Sequence, residues 1–275
     1  MDQRPDLAGL EWRSRRSAPT LLTHADSDPA WGFSLYCVNG GKSDLSYEEP
    51  QSTCCPDEVA EWQAPPLWKL VGRTPLIPLQ GLERGALFLK AEWLNPGGSV
   101  KDRPAREILR AGIAEGALPQ RRLLDASSGN TAVAYAMLGA AAGIGVTVCV
   151  PANASAERRA MLKMYGAELI ETDPLEGSDG AISRAGKLAA AEPERYWYAD
   201  QYSHPANTEA HYLTTGPEIW RDTDGRVTHL VAGVGTSGTL MGAGRFLKEQ
   251  RPDIRLVAVE PDGPFHGLEG LKHMA

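Results

Sequence analysis

The chain has 275 residues, a formal net charge of −7 and 42% hydrophobic residues. That allows one large or two smaller α/β domains with a sizeable core, and an acidic balance without a basic stripe argues against a nucleic-acid partner. No apolar run is long enough for a membrane span. Cys37, Cys54, Cys55 and Cys149 have neither zinc-site nor disulfide-framework spacing, so no metal is expected. The N-terminus carries charges where a secretory leader needs an apolar stretch, which makes the cytoplasm the expected location.

Residues 1–64 mix Asp, Ser, Pro, Arg and Trp without sustained periodicity. Such a segment cannot offset its ordering entropy, so this extension is expected to be mobile or loosely attached, and dispensable. From Pro65 the texture changes. The run 67–79 is apolar, but Pro75 and Pro78 bar a central strand and point to ordered edge structure. Ala86–Ala91 reads as a strand. The loop Leu94-Asn95-Pro96-Gly97-Gly98-Ser99-Val100-Lys101-Asp102-Arg103 follows, with turn chemistry at its start and Ser99 as an expected helix cap. Ala105, Ile108, Leu109, Gly112 and Ile113 then give the spacing of one buried helix face. A lysine is thereby held on a strand-to-helix connection, where open α/β sheets present chemistry.

Beyond it, strands and helices alternate. Strand 122–126 leads to the nearly all-apolar helix 132–142, which should be buried. Strand 146–150, helix 156–165, strand 167–171, helix 179–191 and strand 196–199 follow, with Gly166 as a helix stop and Cys149 as a buried thiol. A helix-rich region 206–220, strand 228–232, helix 239–250 and strand 254–260 complete the pattern. Repeated βα units imply an α/β fold with parallel sheets covered by helices on both faces.

Two further loops sit at strand-to-helix connections. Ser127-Ser128-Gly129-Asn130-Thr131 offers hydroxyls, an amide and helix-start N–H groups to a carboxylate. Gly233-Val234-Gly235-Thr236-Ser237-Gly238-Thr239 lets the backbone approach an anion and adds hydroxyl donors, as a phosphate site needs. That loop also spells G-x-G-x-x-G, with Glu260 about 20 residues on where a ribose-binding acid would stand. An NAD(P)-dependent oxidoreductase is therefore the rival reading. It leaves the lysine loop and the Ser-Ser-Gly-Asn loop without a role. Pyridoxal phosphate (PLP) uses all three, since its aldehyde needs a lysine, its phosphate a donor-rich loop, and its amino-acid substrate a carboxylate receptor.

Asn95 to Arg103, Ser127 to Thr131, Gly235 to Thr239, and Gln201-Tyr202-Ser203-His204-Pro205-Ala206-Asn207 together resemble the motifs of the cysteine synthase/cystathionine β-synthase family, in the same order. The resemblance implies a tryptophan-synthase-β-like pair of domains. A smaller one over 94–205 would carry Lys101 and the substrate loop, and a larger one over 65–93 plus 206–275 would bind the PLP phosphate. It further implies that Lys101 holds PLP covalently and serves as base and acid at Cα. Asn130 would hydrogen-bond the ring's 3′-oxygen, and Ser127, Ser128, Thr131 and Gln201 would hold the substrate carboxylate. Gly235, Thr236, Ser237, Gly238 and Thr239 would bind the phosphate. The implied reaction is β-replacement on O-acetylserine or O-phosphoserine by sulfide to give cysteine, in a homodimer. Two departures accompany it. Ala132 stands where many members have Gly, and no match is found to the family's C-terminal segment, whose hydroxyl meets the pyridine nitrogen. A catalytically inactive truncated relative is thus a further alternative.

Overall fold

The computed structural model describes residues 34–38, 64–80, 85–263 and 270–271. Two sheets organise them. The four-stranded sheet has the order β6-β5-β4-β7, formed by β4 (Arg122–Ala126), β5 (Val146–Pro151), β6 (Glu168–Thr172) and β7 (Tyr196–Tyr198). All its pairings are parallel. The central strands β4 and β5 are buried almost throughout, as expected for strands covered on both faces.

Strand alternation divides that sheet's core in two. Leu123, Val146, Val148 and Val150 pack with α1 (Asp102–Ala114) and α2 (Asn130–Ala142), while α3 (Ala156–Met164) adds Leu162. Leu124, Ala126 and Cys149 point the other way, to Ala181, Ala185 and Leu188 of α4 (Gly177–Ala191). Helix α2 is buried at every residue from Thr131 to Gly139, the result its all-round apolar sequence demands. Gly166, at φ +77°, ends the helical turn after α3 as expected.

The five-stranded sheet has the order β2-β3-β1-β8-β9, from β1 (Ser34–Val38), β2 (Leu76–Leu79), β3 (Ala86–Lys90), β8 (Val227–Gly233) and β9 (Arg255–Val259). Only β8 and β9 are parallel; β1 and β2 run antiparallel to their neighbours. The fold remains α/β, but this sheet is mixed, because β2 and β3 form a hairpin-like pair without a crossover helix. Pro78 sits on the edge strand β2, the place open to it. The inner residues Leu230 and Ala232 of β8 pack on Leu240, Ala243 and Leu247 of α7 (Gly238–Gln250) and on Ile219 of α6 (Gly216–Asp222). Between α5 (Pro205–Ala210) and α6 the chain makes a π turn over His211–Thr215.

Strand β1 changes the reading of the N-terminal extension. Residues 34–38 are the middle strand, paired to both β3 and β8, and not a loosely attached segment. A strand needs only five residues of alternating backbone pairing, too short a signal to stand out from an aperiodic stretch. Residues 1–33 and 39–63, with Cys54 and Cys55, lie outside the described residues.

Candidate active site

Lys101 stands at the mouth of α1 on a turn held at both ends. Asn95 accepts the Gly72 N–H (2.8 Å) and donates to the Glu92 carbonyl (2.8 Å) and carboxylate (3.0 Å). Asp102 accepts the Gly97 N–H at 2.5 Å. The expected cap role of Ser99 is not what forms. Its hydroxyl accepts the Lys101 N–H (3.2 Å) one turn earlier, and α1 begins without a side-chain cap. Lys101 keeps some accessible surface because it faces a cavity, yet protein surrounds it on all other sides, and this burial lowers its pKa. Its ε-amine has no hydrogen bond or ion pair among the described residues, so it is available to a carbonyl.

Directly behind it, Arg103 is fully buried. Its guanidinium contacts Glu92 (2.7 and 2.8 Å), Glu218 (2.7 Å twice), Thr74 (3.1 Å) and Thr214 (3.0 Å). Lys90 adds a 2.7 Å ion pair to Glu218 and a hydrogen bond to the Thr74 carbonyl. Burial alone would raise the Glu218 carboxyl, but hydrogen bonds and charge from Arg103, with Lys90, hold it at about 2. Burial dominates at Asp102 and pushes it up to about 7.

The loop 127–131 opens α2, whose N-terminus has no side-chain cap. Ser127 Oγ accepts the Gly129 N–H at 3.2 Å, and Thr131 Oγ1 donates to Gln201 Oε1 at 2.7 Å. Gln201 Nε2 donates to the Ala126 carbonyl (3.3 Å), which leaves its second amide hydrogen for the cavity. Asn207 Nδ2 donates to the Gln201 carbonyl at 2.8 Å. The glycine loop then leads into α7. A Cβ on Gly235 would run into the Gly270 carbonyl, and one on Gly238 into the Asn207 amide, so both positions require glycine. Ser237 has φ +62° at the α7 start, again without a side-chain cap. Buried His211 bridges Thr215 Oγ1 (2.9 Å) and Thr239 Oγ1 (3.2 Å), and burial, then Arg103 and Lys101, keep it neutral.

These loops surround one cavity of about 210 Å³. Lys101, Ser127, Ser128, Asn130, Thr131, Gln201, Gly235 and Thr236 line it. Ser237, Gly238 and Thr239 do not; they form the first turn behind it. Ser178 and Ile182 of α4 and Tyr202 line it as well, though the sequence reading left them out. Ser178 had a usable signal, since it too follows a strand of the same sheet and opens a helix.

The sequence profile of the family described as "pyridoxal-phosphate dependent enzyme" matches residues 67–270, about three-quarters of the chain. The chain belongs to that family. A cysteine synthase of Aquifex aeolicus is 49% identical over 213 residues, covering 75% of this chain and 65% of the relative. Cysteine synthase A of Escherichia coli is 43% identical over 198 residues, covering 70% of this chain and 61% of the relative. Among solved structures, a cysteine synthase from Entamoeba histolytica superposes with a TM-score of 0.71 at 35% identity, covering 84% of this chain and 70% of the other. An O-ureido-L-serine synthase gives 0.69 at 34% identity, covering 75% and 69%. This chain thus spans about two-thirds or less of the curated relatives' length. The fold is that of the tryptophan-synthase-β-like enzymes, and the cofactor class is PLP. The dinucleotide reading of the glycine loop finds no support, because that loop shares its cavity with a buried lysine, which a hydride carrier does not need.

The residues fit the cofactor. Two thirteen-residue helices present uncapped N-termini beside the cavity, one of them behind a loop in which Gly235 and Gly238 have no room for a side chain. The Asn130 amide, facing the same space, has no hydrogen bond among the described residues.

Proposed function

We propose that the protein replaces the β-substituent of an activated serine, O-acetylserine or O-phosphoserine, with sulfide to give cysteine. The observation that carries the reading is the convergence of a buried lysine, a hydroxyl-rich helix start and a glycine-rich helix start on one cavity. Lys101 would bind PLP covalently through Nζ. Thr236, Ser237 and Thr239, with Gly235 and Gly238 and the α7 N-terminus, would hold its phosphate, and Asn130 its 3′-oxygen. Ser127, Ser128 and Thr131, with the second hydrogen of the Gln201 amide, would hold the substrate carboxylate. Bound PLP supplies an electron sink that lets the substrate's α-hydrogen leave as a proton.

Once the substrate's amino group has displaced its Nζ from the cofactor, Lys101 would take that proton from Cα. Burial lowers its pKa, which favours the neutral amine that a base must be. The Cβ–O bond breaks and acetate or phosphate departs with the electron pair. Sulfide then forms the Cβ–S bond, and Lys101 returns a proton to Cα.

The reading brings with it a cytoplasmic homodimer, implied by the family resemblance and tested by light scattering of the purified chain. Among the described residues no helix is long and apolar enough to cross a membrane. The deciding experiment supplies PLP, O-acetyl-L-serine or O-phospho-L-serine, and sulfide, and follows cysteine against released acetate or phosphate. Equal amounts of both products support the reading. No cysteine from either substrate, with PLP bound, overturns it.

A further inference from the structure

A residue two positions before the substrate loop has no part in the reaction just described. Asp125, on β4, is 2% exposed, an expensive place for a carboxylate. Its Oδ1 accepts the Ala126 N–H at 2.8 Å, and its Oδ2 accepts the Gln201 N–H at 3.3 Å. Those two N–H groups belong to different walls of the cavity. The Gln201 side chain then closes a ring through the Ala126 carbonyl (3.3 Å) and Thr131 (2.7 Å).

We propose that Asp125 is a positioning residue for the substrate, its ionised carboxylate fixing the root of the Ser127–Thr131 loop against Gln201 so that both reach one carboxylate. This rests on the β-replacement reading above, because it assumes that those residues hold an amino acid. An ionised carboxylate accepts both N–H groups in charge-assisted bonds; a protonated one loses an acceptor position and holds them more weakly.

The groups facing Asp125 come from every element around it. Tyr135 approaches from α2, and its buried hydroxyl favours the ionised carboxylate. Asp200 and Tyr198 lie on the β7 side and Cys149 on β5, with Arg184 of α4 beyond the thiol. Burial raises the Asp125 pKa to about 7 against the pull of the Ala126 and Gln201 N–H groups and Tyr135, while Asp200 pushes it further up. Substrate affinity should therefore weaken below neutrality, although an amino acid's own carboxylate stays ionised there.

The test titrates the PLP-loaded full chain with L-serine between pH 6 and pH 8 and reads half-saturation from the cofactor's visible absorbance. No sulfide is added, so the readout does not depend on cysteine being made; a failure to make cysteine speaks against the activity alone. Serine's own ammonium must lose a proton to react, which gives every variant the same background pH dependence, so the readout is the ratio of half-saturation in the variant to that in wild type. Asp125→Asn sets its amide N–H against the Gln201 N–H, so it should bind about tenfold more weakly than wild type at pH 8. The two should converge at pH 6, where wild type has lost its ionised carboxylate. Tyr135→Phe removes a group that favours the ionised form, so its midpoint should move to higher pH. A plain structural role predicts lost PLP and a lower melting temperature in Asp125→Asn with its ratio to wild type the same at both pH values, and that result overturns the proposal. If Asp125→Asn does not fold, an unmoved midpoint in Tyr135→Phe overturns it.

Discussion

Arg103 grips Glu218 through two 2.7 Å hydrogen bonds, joining the helix that begins beside Lys101 to the helix after the π turn. The pair is buried and Glu92 completes the charge balance around the guanidinium. Such a pair adds little over a packed apolar substitute, but removing one partner strands the other charge. Arg103→Ala should therefore cost roughly 3–5 kcal/mol in denaturant unfolding. Arg103→Lys should recover only part of it, because an ammonium cannot make the bidentate contacts. A loss below about 1 kcal/mol for Arg103→Ala would mean the network carries no stability.

Borohydride reduction of the PLP-loaded protein followed by peptide mapping should place the adduct on Lys101. Lys101→Ala should lose it, and turnover should fall by at least about 100-fold, the usual share of a general base. An adduct on any other lysine moves the site elsewhere.

Thr239 is turned by neutral His211, whose ring contacts Thr215 on its other side. Thr239→Val should weaken PLP retention by about 1.5–3 kcal/mol, roughly ten- to a hundredfold in the dissociation constant. Equilibrium dialysis measures it. Retention at the wild-type level would exclude this hydroxyl from phosphate binding.

The buried carboxyls pull stability in opposite directions with pH. Glu218 is held at about 2 against an ordinary 4.5, so its contribution is complete above pH 4.5 and disappears as pH falls toward 2. By linkage that is about 3 kcal/mol. Asp102 and Asp125 are raised to about 7 from 3.8, so the folded state is favoured most below pH 3.8 and loses that advantage as pH rises through 7. His211 and Lys101, both held low by burial, push stability the other way as pH rises, so the test is the difference between wild type and variant. In urea unfolding from pH 5 to pH 8, Asp125→Asn should gain stability relative to wild type as pH rises. Parallel curves would contradict the Asp125 assignment.

The parts of the fold that were readable in the chain are those whose signal is local. Helix α2 is a run of apolar residues, β4 and β5 are bounded apolar strands, and the three loops carry their chemistry within five to ten residues. What was missed depends on distant partners. Arg103 reads as one charge in a polar loop until Glu218, 115 positions away, closes on it. Asp125 reads as a strand residue, and only the fold sets Gln201 above it. Gln201 itself was readable as a motif, but not the ring it forms with Thr131 and Ala126. The mixed character of the larger sheet was hidden for the same reason, since nothing near Ser34–Val38 announces β3 and β8 as its neighbours.

That strand yields the prediction which departs most from the sequence reading. A chain begun at Pro65 lacks β1, and with it both ladders that join β3 to β8. The backbone N–H and C=O groups that faced β1 would then be unpaired on two edges in the middle of the sheet. The hairpin-like pair β2–β3 would lose its attachment to β8 and α7, whose core includes Leu76 and Phe88 as packed neighbours. The lysine turn hangs from β3 through Glu92 and Asn95, so the damage reaches the cavity. The truncated chain should melt several degrees lower, bind less PLP and associate through its open edges, as read by calorimetry, absorbance and light scattering. Five residues are responsible in this account, so replacing Tyr36 by Pro in the full chain should reproduce much of the loss by removing a ladder N–H. If the truncated chain keeps the melting temperature, PLP content and monodispersity of the full one, β1 contributes nothing to the sheet.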